Sequence, residues 1–98
     1  MTEVLVEPQE DRVDISVGGD VTISGVHELH RHVRAALTFE LPVTVHLDQV
    51  RTFDLVGLQL LIAVQREGAS RGTPVEFTGD ATLERVRRMR AFAGLPEG

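Results

Sequence analysis

The sequence predicts an α/β fold: a four-stranded mixed sheet, antiparallel in an N-terminal hairpin and parallel through a following βαβαβ run, with helices packed mainly on one face. Three observations predict it. Apolar and polar residues alternate in Val13-Asp14-Ile15-Ser16-Val17 and again in Val43-Thr44-Val45-His46-Leu47, the pattern of strands with one buried face. After each run, apolar residues recur at three- and four-residue steps, the period of a helix. The connections are short, so each strand, helix and strand closes as a parallel, right-handed crossover.

Val4-Leu5-Val6 is the first strand, joined to the second through a polar turn at Pro8 to Asp11. Gly18-Gly19-Asp20 is expected to break the second strand, and Ser24 offers an N-cap for a helix carrying Val26, Leu29, Val33 and Leu37 on one side. Pro42 opens the third segment, whose strand leads into Phe53-Asp54-Leu55-Val56-Gly57-Leu58-Gln59-Leu60-Leu61, the stretch on which the chain turns from strand to helix. Asp54 is the expected N-cap there, its carboxylate accepting from the amide of Val56 or Gly57 and suiting the positive end of the helix dipole. The second helix is expected over about 57 to 70 and ends near Gly68 to Gly72. Val75-Glu76-Phe77 is the fourth strand. Asp80 is expected to cap a last helix with Leu83, Val86, Met89 and Ala93 inward, stopped by Gly94 and Pro96.

Composition narrows the function. The 98 residues form one expected domain, 1–98, with 42% hydrophobic and 26% charged residues, a soluble globular balance. There is no cysteine, which removes disulfides and thiolate metal sites. Neither a membrane span nor a signal peptide is visible, so a cytoplasmic location is the default expectation. A net charge of −5 argues against nucleic acid as a partner. All ten cations are Arg, so no Schiff-base or P-loop lysine exists. The lack of Lys and Asn beside abundant Ala, Val, Arg and Gly has the colour of a GC-rich bacterial genome.

Two charged groups invite a site and receive plainer explanations. His27, His30 and His32 share the first helix, but at roughly 100° per residue only His27 and His30 project together, with no third ligand, and no metal is expected. Arg85, Arg87, Arg88 and Arg90 spread around the last helix and form no single basic stripe. Solvated heads with stems over the core are the expected arrangement.

The second helix has two apolar sides. Leu58, Leu61 and Ile62, continued by Gln65 and Ala69, mark the expected core face, while Val56, Leu60, Ala63 and Glu67 line up in a separate stripe. Either a neighbouring helix covers that stripe, or it is exposed and docks a partner.

The run Val45-His46-Leu47-Asp48-Gln49-Val50-Arg51-Thr52-Phe53-Asp54-Leu55-Val56-Gly57-Leu58 resembles the signature of STAS domains, the family of bacterial anti-sigma factor antagonists and of the cytoplasmic parts of sulphate transporters. Members show an apolar strand ending in Asp-Leu, then an apolar residue, Asp, two small hydroxyl residues, Gly and Leu. The order of elements extends the resemblance over nearly the whole chain. It implies a regulatory protein-interaction module, without cofactor, that docks a kinase-type anti-sigma factor through the loop and start of the second helix. The implied partner-binding residues are Thr52, Asp54, Leu55, Val56 and Gly57, with Leu60, Ala63 and Glu67 added by the stripe. In the family's antagonists the second hydroxyl residue is the serine that the partner kinase phosphorylates. Its position here is Val56, preceded by Leu55, and neither side chain accepts phosphate. Phosphate there would bring about two negative charges beside Asp54; valine extends the apolar stripe instead. Among Thr22, Ser24, Thr52 and Ser70, Thr52 is the best-placed substitute acceptor.

A second reading with the same resemblance is the small STAS subunit of a bacterial phospholipid-transport ABC complex, bound to its ATPase. Catalysis is a third, with His46, Asp48 and Asp54 near one strand end as acid and base. It is not expected, because His46 and Asp48 read as outward strand positions and Asp54 is occupied by capping.

Overall fold

A computed structural model describes residues 2–93. The elements run β1 (Thr2–Pro8), β2 (Val13–Val21), α1 (Val26–Leu37), β3 (Val43–Phe53), α2 (Leu55–Ser70), β4 (Val75–Thr78) and α3 (Asp80–Ala93). The sheet order is β1-β2-β3-β4, with β1 antiparallel to β2 and the other pairs parallel. This is the mixed sheet predicted from the sequence. The expected stop at Gly94 and Pro96 lies outside the described residues, as do the side chains of Arg90 and Ala93.

Alternation sets the two faces. Val13, Ile15 and Val17 of β2 and Val43, Val45 and Leu47 of β3 are buried beneath Leu29, Val33, Ala36 and Leu37 of α1 and Leu58, Leu61 and Val64 of α2. Each fully buried side chain of this size contributes about 1.5–3 kcal/mol by leaving water. The intervening residues, Asp14, Ser16, Thr44 and His46, look outward from the helices.

Several local expectations are corrected. Gly18 and Gly19 do not end β2, which continues to Val21; the pairing with β3 slips there instead. From Ser16↔His46 to Gly18↔Gln49, and from Gly19↔Val50 to Asp20↔Thr52, β3 advances one residue more than β2. These irregularities return Val50 to the core after Leu47 and carry β3 on to Phe53, so Thr52 lies on the strand.

Ser24 is not the cap of α1. That position is Gly25, which makes no side-chain cap, and the turn is closed by the Thr22 carbonyl accepting from Gly25 N at 2.9 Å and Val26 N at 3.1 Å. A Cβ on Gly25 would lie 1.6 Å from Thr2 Oγ1, so the close approach of β1 dictates glycine. Asp80 likewise falls inside the first turn of α3, and the Gly79 carbonyl accepts from Leu83 N at 2.9 Å.

The core face of α2 is rotated from the expected one. Gly57, Leu58, Leu61, Val64 and Gly68 are buried, while Ala69 is exposed and Ile62 and Gln65 are half-buried. The two glycines explain the rotation. A Cβ on Gly57 would stand 2.3 Å from Val21 O, and one on Gly68 would stand 2.5 Å from both Thr73 O and Val75 Cγ2. The helix is pressed onto the sheet at both ends along the line of its glycines.

Candidate functional site at the start of α2

Asp54 builds the site. It is extended, φ −116° and ψ −179°, and its Oδ1 accepts from Gly57 N at 2.8 Å, the N-cap bond expected from the sequence. Its Oδ2 accepts from Ile23 N at 3.2 Å. One carboxylate therefore holds both the first turn of α2 and the turn between β2 and α1. The contact of Gly57 with Val21 closes the same junction from below.

Two apolar side chains flank Asp54 and face water: Ile23 is 69% exposed and Leu55 47% exposed. Leu55 is expected here from the sequence and Ile23 is not. Its signal was present as one large apolar residue in the otherwise polar turn Thr22-Ile23-Ser24, where burial has no means of accommodating it. Val56, which the resemblance sets at the phosphoacceptor position, is half-buried beside Leu55. Thr52 is exposed at the end of β3, and its hydroxyl donates to Asp20 Oδ1.

The remaining stripe residues divide between exposure and internal packing. Ala63 is exposed, but Leu60 is half-buried and packs against the core. Glu67 is bound to its neighbours: His30 Nε2 lies at 3.8 Å, Arg34 Nε at 3.6 Å and Arg71 Nη2 at 3.1 Å. The C-terminal half of the stripe thus seals α2 against α1. Thr52, Asp54, Leu55, Val56 and Gly57 gather at the other end, with Ile23.

His30, His32, Arg85, Arg87 and Arg88 take structural partners. Among the described residues no group of three or more His, Asp or Glu is placed to hold a metal ion. His32 lies 3.9 Å from Glu28, one turn away. Arg85 donates to the carbonyls of Arg51 at 3.1 Å and Val50 at 3.2 Å, tying α3 to the end of β3, whereas Arg87 and Arg88 stay in solvent beside Glu84.

His46 belongs to a different constellation from the one the sequence offered. On the helix-free face, its Nε2 lies 3.0 Å from Asp14 Oδ1 and its Nδ1 2.9 Å from Thr78 Oγ1, a chain across three strands. Asp48 is exposed and Asp54 is engaged by Gly57 and Ile23, so these three do not form an acid–base set. The hydrogen bond from His46, helped by Arg12 and opposed by burial, holds the Asp14 carboxyl below its ordinary value. An ionised Asp14 only accepts, so Nε2 carries the proton and, in the neutral ring, Thr78 donates to Nδ1.

No helix among the described residues is long and apolar enough to cross a membrane. No curated protein matches this chain. Solved structures do. An anti-sigma factor antagonist from Mycobacterium paratuberculosis is 23% identical, with a TM-score of 0.75, covering 98% of this chain and 84% of its own. The STAS domain of an antisigma-factor antagonist from Rhodobacter sphaeroides is 18% identical, with a TM-score of 0.67 and coverage of 82% and 88%. The protein Mglu is 26% identical over 74% of this chain at a TM-score of 0.68, but the match spans only 18% of Mglu. A family model described as "Mlab, STAS domain" matches residues 4–97, nearly the full chain, and the protein belongs to the STAS domain family.

Proposed function

We propose that this STAS domain is a regulatory docking module, an antagonist-like protein that binds a kinase-type anti-sigma factor or related switch partner through the start of α2. The observation that carries the reading is the pair Ile23 and Leu55, two exposed aliphatic side chains held on either side of Asp54 by its two hydrogen bonds. Together with Val56 they offer a preformed apolar surface, and a preformed surface loses little conformational entropy on binding. Thr52, Gly57, Leu60 and Ala63 border it; Glu67 supports it through α1.

Val56 replaces the hydroxyl that the family switch would use, so the surface binds without phosphorylation at that position. A carboxylate there opposes docking by desolvation and by repulsion from Asp54.

The alternative is the small STAS subunit of a phospholipid-transport ABC complex seated on its ATPase. The match of one whole domain to the family described as Mlab favours it. Affinity capture from native lysate with wild type, Val56→Ser and Val56→Asp, read by mass spectrometry, separates the two. A kinase-type anti-sigma factor retained by wild type and lost with Val56→Asp supports the first reading. A transport ATPase supports the second. Capture that is indifferent to position 56 contradicts the first reading.

A further inference from the structure

β1 is an edge strand: it pairs with β2 on one side, and among the described residues no strand pairs with the other. Such an edge leaves a row of backbone donors and acceptors that templates another strand unless its side chains forbid it. Along Thr2–Pro8, Val4 and Val6 turn inward against the core. Glu3, Leu5 and Glu7 turn to the helix-free face and are exposed. Leu5 is 57% exposed and borders a concavity of about 260 Å³ floored by Gly18 and walled by Glu3, Ser16 and Gln49. The arrangement is an apolar position between two carboxylates, beside an unpaired backbone.

A second copy does not fit this edge. Antiparallel self-pairing centred on Leu5 would set Glu3 opposite Glu7 twice, and like charges directly opposite one another in a sheet repel. The same alternation complements a strand of the opposite sign. We propose that the free edge of β1 accepts an extended cationic segment of a protein partner by antiparallel strand addition, with the pattern cationic, any, apolar, any, cationic. Its first cation lies opposite Glu7, its apolar residue opposite Leu5 and its second cation opposite Glu3. Backbone bonds supply affinity, and the three alternate side chains supply selection. Glu3, Leu5 and Glu7 are not among the residues placed at the start of α2, so the edge gives the domain a second point of attachment.

The probe is a short end-capped peptide with Arg-Thr-Val-Thr-Arg at its centre, followed by fluorescence anisotropy. Saturable binding is expected below ~1 mM. It should weaken roughly tenfold or more against the double variant Glu3→Lys with Glu7→Lys, because two attractive cross-strand pairs become repulsive. Replacing one Thr of the peptide by Pro removes an N–H and should abolish binding. No saturation, equal binding to the double variant, or indifference to Pro would each overturn the proposal. Both glutamates are exposed, so the variants keep the fold. A test without any peptide uses Glu3→Lys alone, which sets Lys opposite Glu7 in the self-pair. By sedimentation it should self-associate more strongly than wild type. Equal sedimentation of the two proteins would show that the edge is not available.

Discussion

Asp54 and Gly57 are the residues on which the site depends, and each makes a separate prediction. Asp54→Ala removes both the cap on Gly57 and the acceptor for Ile23 N, so urea unfolding should show a loss of about 1 kcal/mol or more. Gly57→Ala places a Cβ against the Val21 carbonyl; unless α2 shifts outward, the cost is about 1–3 kcal/mol by the same measurement. At Asp14 the sign follows from its lowered folded value. The carboxylate contributes stability above its unfolded pKa, and that contribution is lost as pH falls through the folded one. The stability difference between wild type and Asp14→Asn should therefore be largest near neutral pH and shrink in the acid range below ~4. A constant difference across that range would show that the His46 bond does not favour ionised Asp14.

At the scale of the element, α2 carries a buried face and, at its start, an exposed aliphatic side chain, and the two respond differently to charge. Leu61 is buried on the face pressed to the sheet, and Leu61→Glu should unfold the domain, because an unpaired buried charge costs several kcal/mol out of a total of about 5–15. Leu60 stands on the second apolar stripe, and of the two arrangements open to that stripe it takes internal packing; its partial burial against the core makes Leu60→Glu measurably destabilising, though less than Leu61→Glu. Leu55→Glu is the clean surface substitution and should move the unfolding midpoint little, within about 0.5 kcal/mol. Circular dichroism melts of the three variants check the order. The wheel misplaced the face because it weighted side chains. Gly57 and Gly68, which have none, mark the line of closest approach, and that approach depends on Val21, Thr73 and Val75 on other elements.

At the scale of the whole molecule, the order and pairing of strands were legible because alternation, helical period and short connections are local properties. What was not legible required two elements at once. Gly18 and Gly19 read as a break but serve a slip in register against β3, and Ser24 read as a cap although Gly25 is fixed by Thr2 on a distant strand. At the site, the cap by Asp54 could be read from its spacing to Gly57, whereas Ile23 is 31 residues away from Asp54 in sequence and enters only through the fold. The chain Asp14–His46–Thr78 is invisible for the same reason, each member standing on a different strand. Amide hydrogen exchange with the captured partner tests most directly the proposal that a partner docks on the apolar surface beside Asp54. Protection at Ile23 and in the first turn of α2, abolished by Leu55→Glu, is the predicted result; protection confined to α3, with that turn unchanged, would contradict it.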